Sequence, residues 1–269
     1  MLKFSRLWKM MNENIRGASQ TRYILLNGSK PEPVDGEVVE EALACISVNG
    51  KEVATMMCSP TGLEDLAVGF LYNENLIASL DEVASVHVSE NDCVDVWLHH
   101  EVEIPERRIV TAGCGGGVTF DDMSAEHPPL ESELTVKPQE LTDLMGRLQT
   151  GAEIYLRSRG IHTAVLASRD AVLLQVEDVG RHNCLDKLAG AALRTGTATK
   201  DRILLSSGRI SSEMLNKTRR LGVPIVCSRT SPTSLSLALA EAWNITVVAY
   251  LRGKRMRVYT HPERLILEN

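Results

Sequence analysis

Several common signatures are missing from this chain of 269 residues. It has no Cys-x-x-Cys pair and no metal-ligand spacing of cysteine and histidine, so no metal site is predicted. No apolar run is long enough to span a membrane. The chain also lacks both the Gly-x-x-x-x-Gly-Lys-Ser/Thr loop and the Gly-x-Gly-x-x-Gly fingerprint, which argues against a P-loop enzyme and a standard dinucleotide oxidoreductase.

The balance of charge is acidic, with a net charge of −6 and a pI of about 5.7, which argues against general nucleic-acid binding. Residues 1–20 contain basic side chains but no continuous apolar core, and they predict a loose tail, not a signal peptide. Most cysteines stand within apolar segments and predict free, buried thiols in a reduced, cytoplasmic protein. The six cysteines are Cys45, Cys58, Cys93, Cys114, Cys184 and Cys227.

The first half of the chain predicts a flexible tail over residues 1–36 and a small α+β region over residues 37–130. Two short apolar runs flank Asn49-Gly50, a dipeptide that favours a two-residue hairpin turn. Thr61-Gly62-Leu63-Glu64 has the form of a capping box and predicts the start of a helix. The apolar face of that helix is predicted to carry Leu63, Leu66, Ala67, Phe70 and Leu71. Further strands are predicted at residues 83–88 and 93–98, followed by a stretch without periodicity over residues 99–130.

Residues 131–269 predict a three-layer α/β domain. Lys137-Pro138 opens a helix, because proline suits the first helical turn. Beyond it, apolar strands, one of them at Ile203–Ser206, alternate with helices, which is typical of parallel β-α-β units. The strands are nearly all apolar, as expected when helices cover both faces of a sheet.

Polar residues follow four successive strands of this predicted domain, where ligands bind in open α/β sheets. If the strands are parallel, five arginines converge on one edge of the sheet. They are Arg181, Arg209, Arg229, Arg252 and Arg255. Guanidinium groups bind phosphate in a bidentate fork, so the pattern predicts a nucleotide or a phosphate-bearing cofactor as ligand.

Structural alternatives remain for each of these residues. Ser231 and Thr233 can be plain helix caps, and His182 can be an ordinary histidine at a helix start. Acidic and basic side chains around Arg181 can form a structural ion-pair network. The residues of that network are Glu177, Asp178, Arg181 and Asp186, and the basic run at Lys254, Arg255 and Arg257 can be a solvated strand face.

One cysteine lies in a run of small residues, Val110-Thr111-Ala112-Gly113-Cys114-Gly115-Gly116-Gly117. No bulky neighbour in the sequence shields its sulfur, and Arg107 and Arg108 could lower its pKa. The thiolate is the reactive form of cysteine, so the loop is interpreted as an arm that carries a nucleophile. The alternative is an incidental thiol on a flexible surface loop.

Several segments together resemble the formate dehydrogenase accessory sulfurtransferases, the FdhD family, from about residue 37 to residue 264. They are Pro60-Thr61-Gly62-Leu63-Glu64-Asp65-Leu66-Ala67-Val68-Gly69-Phe70-Leu71, Glu177-Asp178-Val179-Gly180-Arg181-His182-Asn183, Asp186-Lys187, Ser207-Gly208-Arg209, Ser231-Pro232-Thr233-Ser234-Leu235 and Leu251-Arg252-Gly253. Each segment alone is a weak signal, whereas all of them in this order are highly specific.

The resemblance implies a sulfur carrier with a catalytic half like the cytidine deaminase fold. A cysteine desulfurase would supply sulfur as a persulfide on Cys114. The acceptor would be the molybdenum cofactor in its bis-molybdopterin guanine dinucleotide form, bound as a substrate and destined for formate dehydrogenase. A homodimer is also implied. The implied cofactor site is Tyr250, Leu251, Arg252, Gly253, Lys254 and Arg255, beside which stand the predicted phosphate ligands Arg181, Arg209 and Arg229.

The chain departs from the family at one position, because Gly117 stands where a second cysteine is expected. A two-cysteine relay is therefore in doubt, although a persulfide needs only the sulfur of Cys114. A cofactor-binding chaperone that moves no sulfur is the alternative. A deaminase-like hydrolase is a second rival, but the sequence lacks the ligand spacing of a deaminase zinc site.

Overall fold

The computed structural model describes residues 16–104 and 127–267, together with the backbone of residues 109–110 and 118–119. The first element is a long antiparallel hairpin of β1 (Ala18–Asn27) and β2 (Lys30–Val39). The prediction of a tail without regular structure was wrong for this segment. Pro31 and Pro33 disfavour a strand inside a sheet, but both lie in β2, which pairs with β1 alone among the described residues, and a strand at an edge tolerates proline.

The base of this hairpin is attached to the rest of the chain. Ala18 packs with Ile154 and Ile161 in a small apolar cluster. Two hydrogen bonds join the Arg157 guanidinium to the two oxygens of Glu37, at 2.6 and 2.7 Å. The hairpin is therefore fixed at its base by apolar packing and by a bidentate ion pair.

The next unit is a four-stranded sheet covered by a helix. Its strands are β3 (Ala42–Val48), β4 (Lys51–Cys58), β5 (Val83–Val88) and β6 (Val94–Leu98), in the order β4-β3-β6-β5. The predicted turn at Asn49 and Gly50 is confirmed, since both residues have the positive φ that a two-residue hairpin turn requires, 48° and 77°. A short 3₁₀ helix, Leu80–Glu82, precedes β5.

Helix α1 (Leu63–Asn73) packs on this sheet with the predicted apolar face, because all five residues of that face are buried. The predicted capping box was wrong. The residue before the helix is Gly62 in the left-handed conformation, with φ 58°, and no side chain caps the first turn. Glycine adopts this conformation without the steric cost that a Cβ brings.

The cysteines divide into two groups. Cys45 on β3 and Cys93 just before β6 form a disulfide, so the prediction of free thiols was wrong for this pair. The two residues are 48 positions apart in sequence, and their strands are parallel neighbours in the sheet. Cys58, Cys184 and Cys227 are free and buried, as predicted.

A six-stranded sheet forms the centre of the second half. Two short strands come first in the chain, β7 (Ile109–Val110) and β8 (Val118–Thr119), which pair with each other. The large sheet then comprises β9 (His162–Ala167), β10 (Val172–Asp178), β11 (Ile203–Ser206), β12 (Ile225–Ser228), β13 (Thr246–Arg252) and β14 (Arg255–Val258). Their order is β10-β9-β11-β12-β13-β14. Within this sheet only the β11–β12 and β12–β13 pairs are parallel, so the expectation of a parallel sheet was wrong for β9 and β14.

Helices cover both faces of this sheet. They are α2 (Pro138–Thr150), α3 (Glu153–Ser158), α4 (Arg181–Thr195), α5 (Ser212–Arg220) and α6 (Ser234–Ala242), and a 3₁₀ helix spans Pro262–Arg264. Side chains of α4, α5 and α6 join the apolar cluster on one face, while α2 joins the cluster on the other face. The domain therefore has three layers, as predicted, and its likeness to cytidine deaminase stays a prediction.

Two helices connect the halves of the molecule. A Cβ built on Gly69 of α1 would lie 1.7 Å from the carbonyl oxygen of Asp186 on α4. A Cβ on Gly190 of α4 would lie 1.9 Å from the carbonyl oxygen of Asp65. Glycine at both positions therefore lets the two backbones touch. None of the helices within residues 16–104 and 127–267 combines the length and the apolar character needed to cross a membrane.

Candidate functional site

The predicted convergence of strand ends is present at one edge of the six-stranded sheet, here called the carboxyl edge. Strands β10, β11, β12 and β13 all end there, because the β9–β10 hairpin turns β10 back into the direction of β11. Strand β9 runs the other way and therefore begins at this edge. Asp178 at the end of β10 pairs with His162 at the start of β9.

A cavity of about 300 Å³, here called the edge cavity, opens at the carboxyl edge. Its polar lining includes Gln149, His162, Ser207, Arg229, Thr230 and Arg252. The volume lies at the lower end of the range for small-molecule sites. Two guanidinium groups and no carboxylate line it, and neither guanidinium pairs with a carboxylate of the described residues. The edge cavity is therefore suited to an anion.

Hydrogen bonds fix the loops that carry the two arginines. Arg252 Nε donates to the carbonyl oxygen of Arg229 at 3.2 Å. The hydroxyl of Ser228 donates to the carbonyl oxygen of Gly208 at 2.6 Å and accepts from the backbone N–H of Thr230 at 3.0 Å. Because Ser228 is fully buried, this serine holds the loops after β11 and β12 together beneath the cavity.

His162 is a residue of the edge cavity that the sequence did not single out. Its Nδ1 lies 3.2 Å from the hydroxyl of Ser207, which also accepts the backbone N–H of Thr163 at 3.0 Å. Burial lowers the pKa of His162, and so does the positive charge of Arg181, while Asp178 opposes the shift. His162 is therefore a neutral imidazole at neutral pH.

The predicted cofactor segment forms the β13–β14 hairpin. Gly253 and Lys254 make its turn, with Gly253 at φ 54°, and Arg255 pairs with Arg252 across it. Tyr250 also has a positive φ, 53°, which is rare for a bulky residue and is found at functional sites. The guanidinium of Arg257 stacks on the Tyr250 ring at 4.3 Å. Leu251, by contrast, has its side chain buried in the apolar core.

The other three predicted arginines, Arg181, Arg209 and Arg255, are not part of the cavity lining. Arg181 is a buried residue at the start of α4, and its side chain lies so close to Gly208 that a Cβ there would be 2.9 Å from Arg181 Cβ. Arg209 is exposed. The structure therefore brings Arg229 and Arg252 into one cavity, with Arg181 near His162 and Arg209 farther out.

The segment Glu177-Asp178-Val179-Gly180-Arg181-His182-Asn183 is held by a buried carboxylate. Asp178 pairs with the Lys187 ammonium at 2.6 Å and accepts the backbone N–H of Gly180 at 2.7 Å. The side-chain amide of Asn183 donates to the same carboxylate at 2.8 Å. Asp178 therefore belongs to a structural ion-pair network, which was the alternative interpretation of this segment. The cation of the pair is Lys187, which the sequence pattern did not indicate.

His182 occupies a separate polar cluster at the starts of α4 and α5. Its Nε2 lies 3.2 Å from the hydroxyl of Ser211, which caps α5, and 3.4 Å from Glu213. Burial lowers the pKa of His182 to about 2, assisted by the positive charges of Lys217 and Arg181. His182 is thus a buried, neutral, hydrogen-bonded histidine, which agrees with its structural alternative.

The predicted nucleophile Cys114 and the flanking Arg107 and Arg108 lie outside the described residues. Of the loop's surroundings, the backbone of β7 and β8 is described.

Comparisons with known proteins give a consistent result. Residues 38–266 match the model of the FdhD/NarQ family. The sulfur carrier protein FdhD of Staphylococcus aureus strain MRSA252 is 36% identical over 237 residues, covering 86% of this chain and 89% of that protein. The same protein from strain Newman is 35% identical over 237 residues, with the same coverage.

One solved structure extends the likeness to the fold. It is the crystal structure of a formate dehydrogenase accessory protein from Desulfotalea psychrophila. It superposes with a TM-score of 0.76 at 25% sequence identity, and the match covers 93% of this chain and 100% of that chain. The chain belongs to the FdhD/NarQ family.

Proposed function

We propose that the protein is a sulfur carrier required for formate dehydrogenase activity. It accepts sulfur from a cysteine desulfurase on Cys114 and transfers it to the molybdenum cofactor in its bis-molybdopterin guanine dinucleotide form. The cofactor is bound as a substrate before its insertion into formate dehydrogenase. Support comes from family membership and from the names of the relatives, a sulfur carrier protein and a formate dehydrogenase accessory protein.

The state of the other cysteines carries the assignment to Cys114. Cys45 and Cys93 are joined in a disulfide and offer no thiol. Burial raises the pKa of Cys58 to about 12, and it raises the pKa of Cys184 and Cys227 well above the ordinary value. Because the thiolate is the nucleophile, these three thiols are unreactive at neutral pH. The disulfide and the three buried thiols account for five of the six cysteines, which leaves Cys114 as the proposed sulfur carrier.

The proposed chemistry moves one sulfur atom twice. The Cys114 thiolate attacks the terminal sulfur of the desulfurase persulfide, so a new S–S bond forms on Cys114 and the donor cysteine leaves as a thiolate. The terminal sulfur then passes to the bound cofactor, which supplies the electron pair for the new bond. Cys114 leaves as the thiolate and can accept sulfur again.

The edge cavity is the proposed place for the cofactor's guanine nucleotide arms. Arg229 and Arg252 supply two positive charges for phosphate groups, and the adjacent hairpin, residues 250–255, contains the segment that the family resemblance assigns to the cofactor. Arg181 and Arg209 belong to the same edge and add positive potential around it. Cofactor binding at these residues is part of the proposal.

The exposed hairpin supports a homodimer as part of the same proposal. Tyr23, Ile24, Leu25 and Leu26 of β1 are 47%, 58%, 47% and 66% exposed, which makes an unusually apolar surface for a two-stranded element. A second copy of the chain is the proposed cover. We place the protein in the cytoplasm because it resembles the sulfur carriers, although a disulfide such as Cys45–Cys93 is uncommon in that compartment.

Mass spectrometry after incubation with a cysteine desulfurase and cysteine tests the sulfur transfer. The peptide that contains Cys114 should gain one sulfur atom. The gain should disappear in Cys114→Ala and persist in the matched control Cys58→Ala. Sulfur found only on Cys184 or Cys227 would contradict the mechanism. Normal maturation of formate dehydrogenase by Cys114→Ala would favour the chaperone that moves no sulfur, an alternative that Gly117 keeps open.

A further inference from the structure

We propose that His162 is a ligand-binding residue of the edge cavity, whose Nε2–H donates a hydrogen bond to an anionic oxygen held by Arg229 and Arg252. The nature of that oxygen, a nucleotide phosphate, rests on the proposed function. The placement of His162 does not, because it follows from the lining of the cavity and from the hydrogen bonds of the ring.

The proposed tautomer of His162 has Nδ1 as the acceptor of the Ser207 hydroxyl. The Ser207 hydroxyl already accepts the backbone N–H of Thr163, and its own proton has Nδ1 of His162 within 3.2 Å as an acceptor. A neutral imidazole carries one N–H, so a ring that accepts at Nδ1 carries its proton on Nε2. Because the Ser207 hydroxyl has a second lone pair that a Nδ1–H could use, the proton on Nε2 is part of the proposal, and the two amide variants test it.

The position of Nε2 makes this donor available to a ligand. His162 is half-buried, and its ring lines the edge cavity. With Nδ1 engaged by Ser207, Nε2 is the ring nitrogen without a partner among the described residues. A donor with this exposure, beside two guanidinium groups, is suited to an oxygen of a bound anion.

The charge state defines what His162 contributes. Burial and Arg181 hold the pKa of the imidazole below its ordinary value, so the ring is neutral at neutral pH. A neutral donor gives direction without adding long-range attraction, which Arg229 and Arg252 already supply. Loss of His162 should therefore weaken binding equally at low and high salt, whereas loss of Arg252 should weaken it most at low salt.

The competing interpretation is that His162 only clamps β9 to the loop after β11 through Ser207. Two amide replacements separate these roles. The amide of His162→Asn occupies the place of Nδ1, so it keeps the contact with Ser207 and loses the donor in the cavity. The amide of His162→Gln reaches the place of Nε2, so it keeps the donor in the cavity.

Isothermal titration of the full chain with guanosine diphosphate and with pyrophosphate tests the proposal. His162→Asn should weaken both affinities by roughly 10-fold, the equivalent of one hydrogen bond to a charged group. His162→Gln should stay within about 3-fold of the wild type. Arg252→Ala serves as the cavity control, and thermal melting verifies that each variant is folded.

The possible outcomes distinguish the two proposals. If His162→Asn binds as the wild type does, or if His162→Gln is the more impaired variant, the inference about His162 is wrong while cofactor binding stands. If the wild type binds pyrophosphate but not guanosine diphosphate, the nucleotide part of the proposed function fails. If the wild type binds neither probe, both proposals fail.

Discussion

Gly69→Ala is expected to destabilise the protein, because α1 and α4 cross with no space for a methyl group at this position. The added Cβ would lie 1.7 Å from the Asp186 carbonyl oxygen. An ordinary carbon–oxygen contact is about 3.3 Å, so the helices would have to separate by about 1.5 Å. The obstacle is backbone, which cannot rotate away as a side chain can.

The size of the effect is the difference of two terms. Overpacking a buried contact costs about 3 kcal/mol at the upper end of its usual range, which applies here because the obstacle is rigid. Alanine regains about 1 kcal/mol of helix propensity over glycine. The net loss in the free energy of unfolding is therefore about 2 kcal/mol. Gly190→Ala, whose Cβ meets the Asp65 carbonyl oxygen at 1.9 Å, should behave in the same way.

Gly146→Ala is the matched control. Gly146 is an exposed residue within α2, and nothing lies within 4 Å of the Cβ that it would gain. In Gly146→Ala only the gain in helix propensity changes the stability, so this variant should be more stable than the wild type by about 0.5–1 kcal/mol. Urea denaturation followed by circular dichroism measures both changes as shifts in midpoint at constant slope. A Gly69→Ala protein as stable as Gly146→Ala would refute the close helix crossing.

Substitutions of Lys217 and Glu37, with Arg194 as a control, yield further predictions. Lys217→Met should lower the free energy of unfolding by about 3–5 kcal/mol, because it leaves the buried Asp186 of α4 without the ammonium 2.8 Å away. In the same denaturation assay, Arg194→Met should cost under about 1 kcal/mol, because it breaks a more exposed ion pair between Arg194 of α4 and Asp65 of α1. Glu37→Gln should lose stability relative to the wild type near neutral pH, since hydrogen bonds from Arg157 hold the pKa of Glu37 below its ordinary value. That difference should shrink as the pH falls through the lowered pKa, and a difference that grows in acid would contradict the assignment.

The elements of the second half were largely predictable, because strong local signals bound them. The strand at Ile203–Ser206 was predicted to the residue, since a short apolar run is followed by the polar Ser207-Gly208. Pro138 marks the start of α2, and Gly222, at φ 68°, follows the end of α5. Each signal acts through its own backbone, so a sequence pattern is sufficient to find it.

The N-terminal hairpin was missed because its stability does not come from an alternating apolar face. Ala18 at its base packs on Ile154 from a distant helix. Proline indicates a break when a strand is taken to lie inside a sheet, but it is tolerated in β2, which pairs with β1 alone in the part of the chain that the structure describes. Which strands pair with each other is determined by the tertiary structure, and a local sequence pattern does not show it.

The disulfide was missed for a related reason. Cys45 alternates with the buried Ala44 and Ile46 along β3, so its side chain lies on the opposite face of the sheet. The pattern therefore indicates which face the thiol occupies. It does not indicate that Cys93 arrives on the neighbouring strand, with 4.5 Å between the two Cα atoms. Cysteine pairing depends on sheet order, which comes from the whole chain.

The convergence of Arg229 and Arg252 was predicted from a parallel sheet, and it holds although the sheet is mixed. Convergence depends only on the direction of the strand that precedes each loop, and the single reversal at the β9–β10 hairpin gives β10 the same direction as β11. The reversed strand β9 contributes its beginning to the carboxyl edge, and His162 stands at that position. In a mixed sheet, the first residue of a reversed strand is therefore as strong a candidate for the site as the residues after its neighbours. By this rule, the sequence could have named His162 once the β9–β10 hairpin around Arg169-Asp170 was placed beside β11.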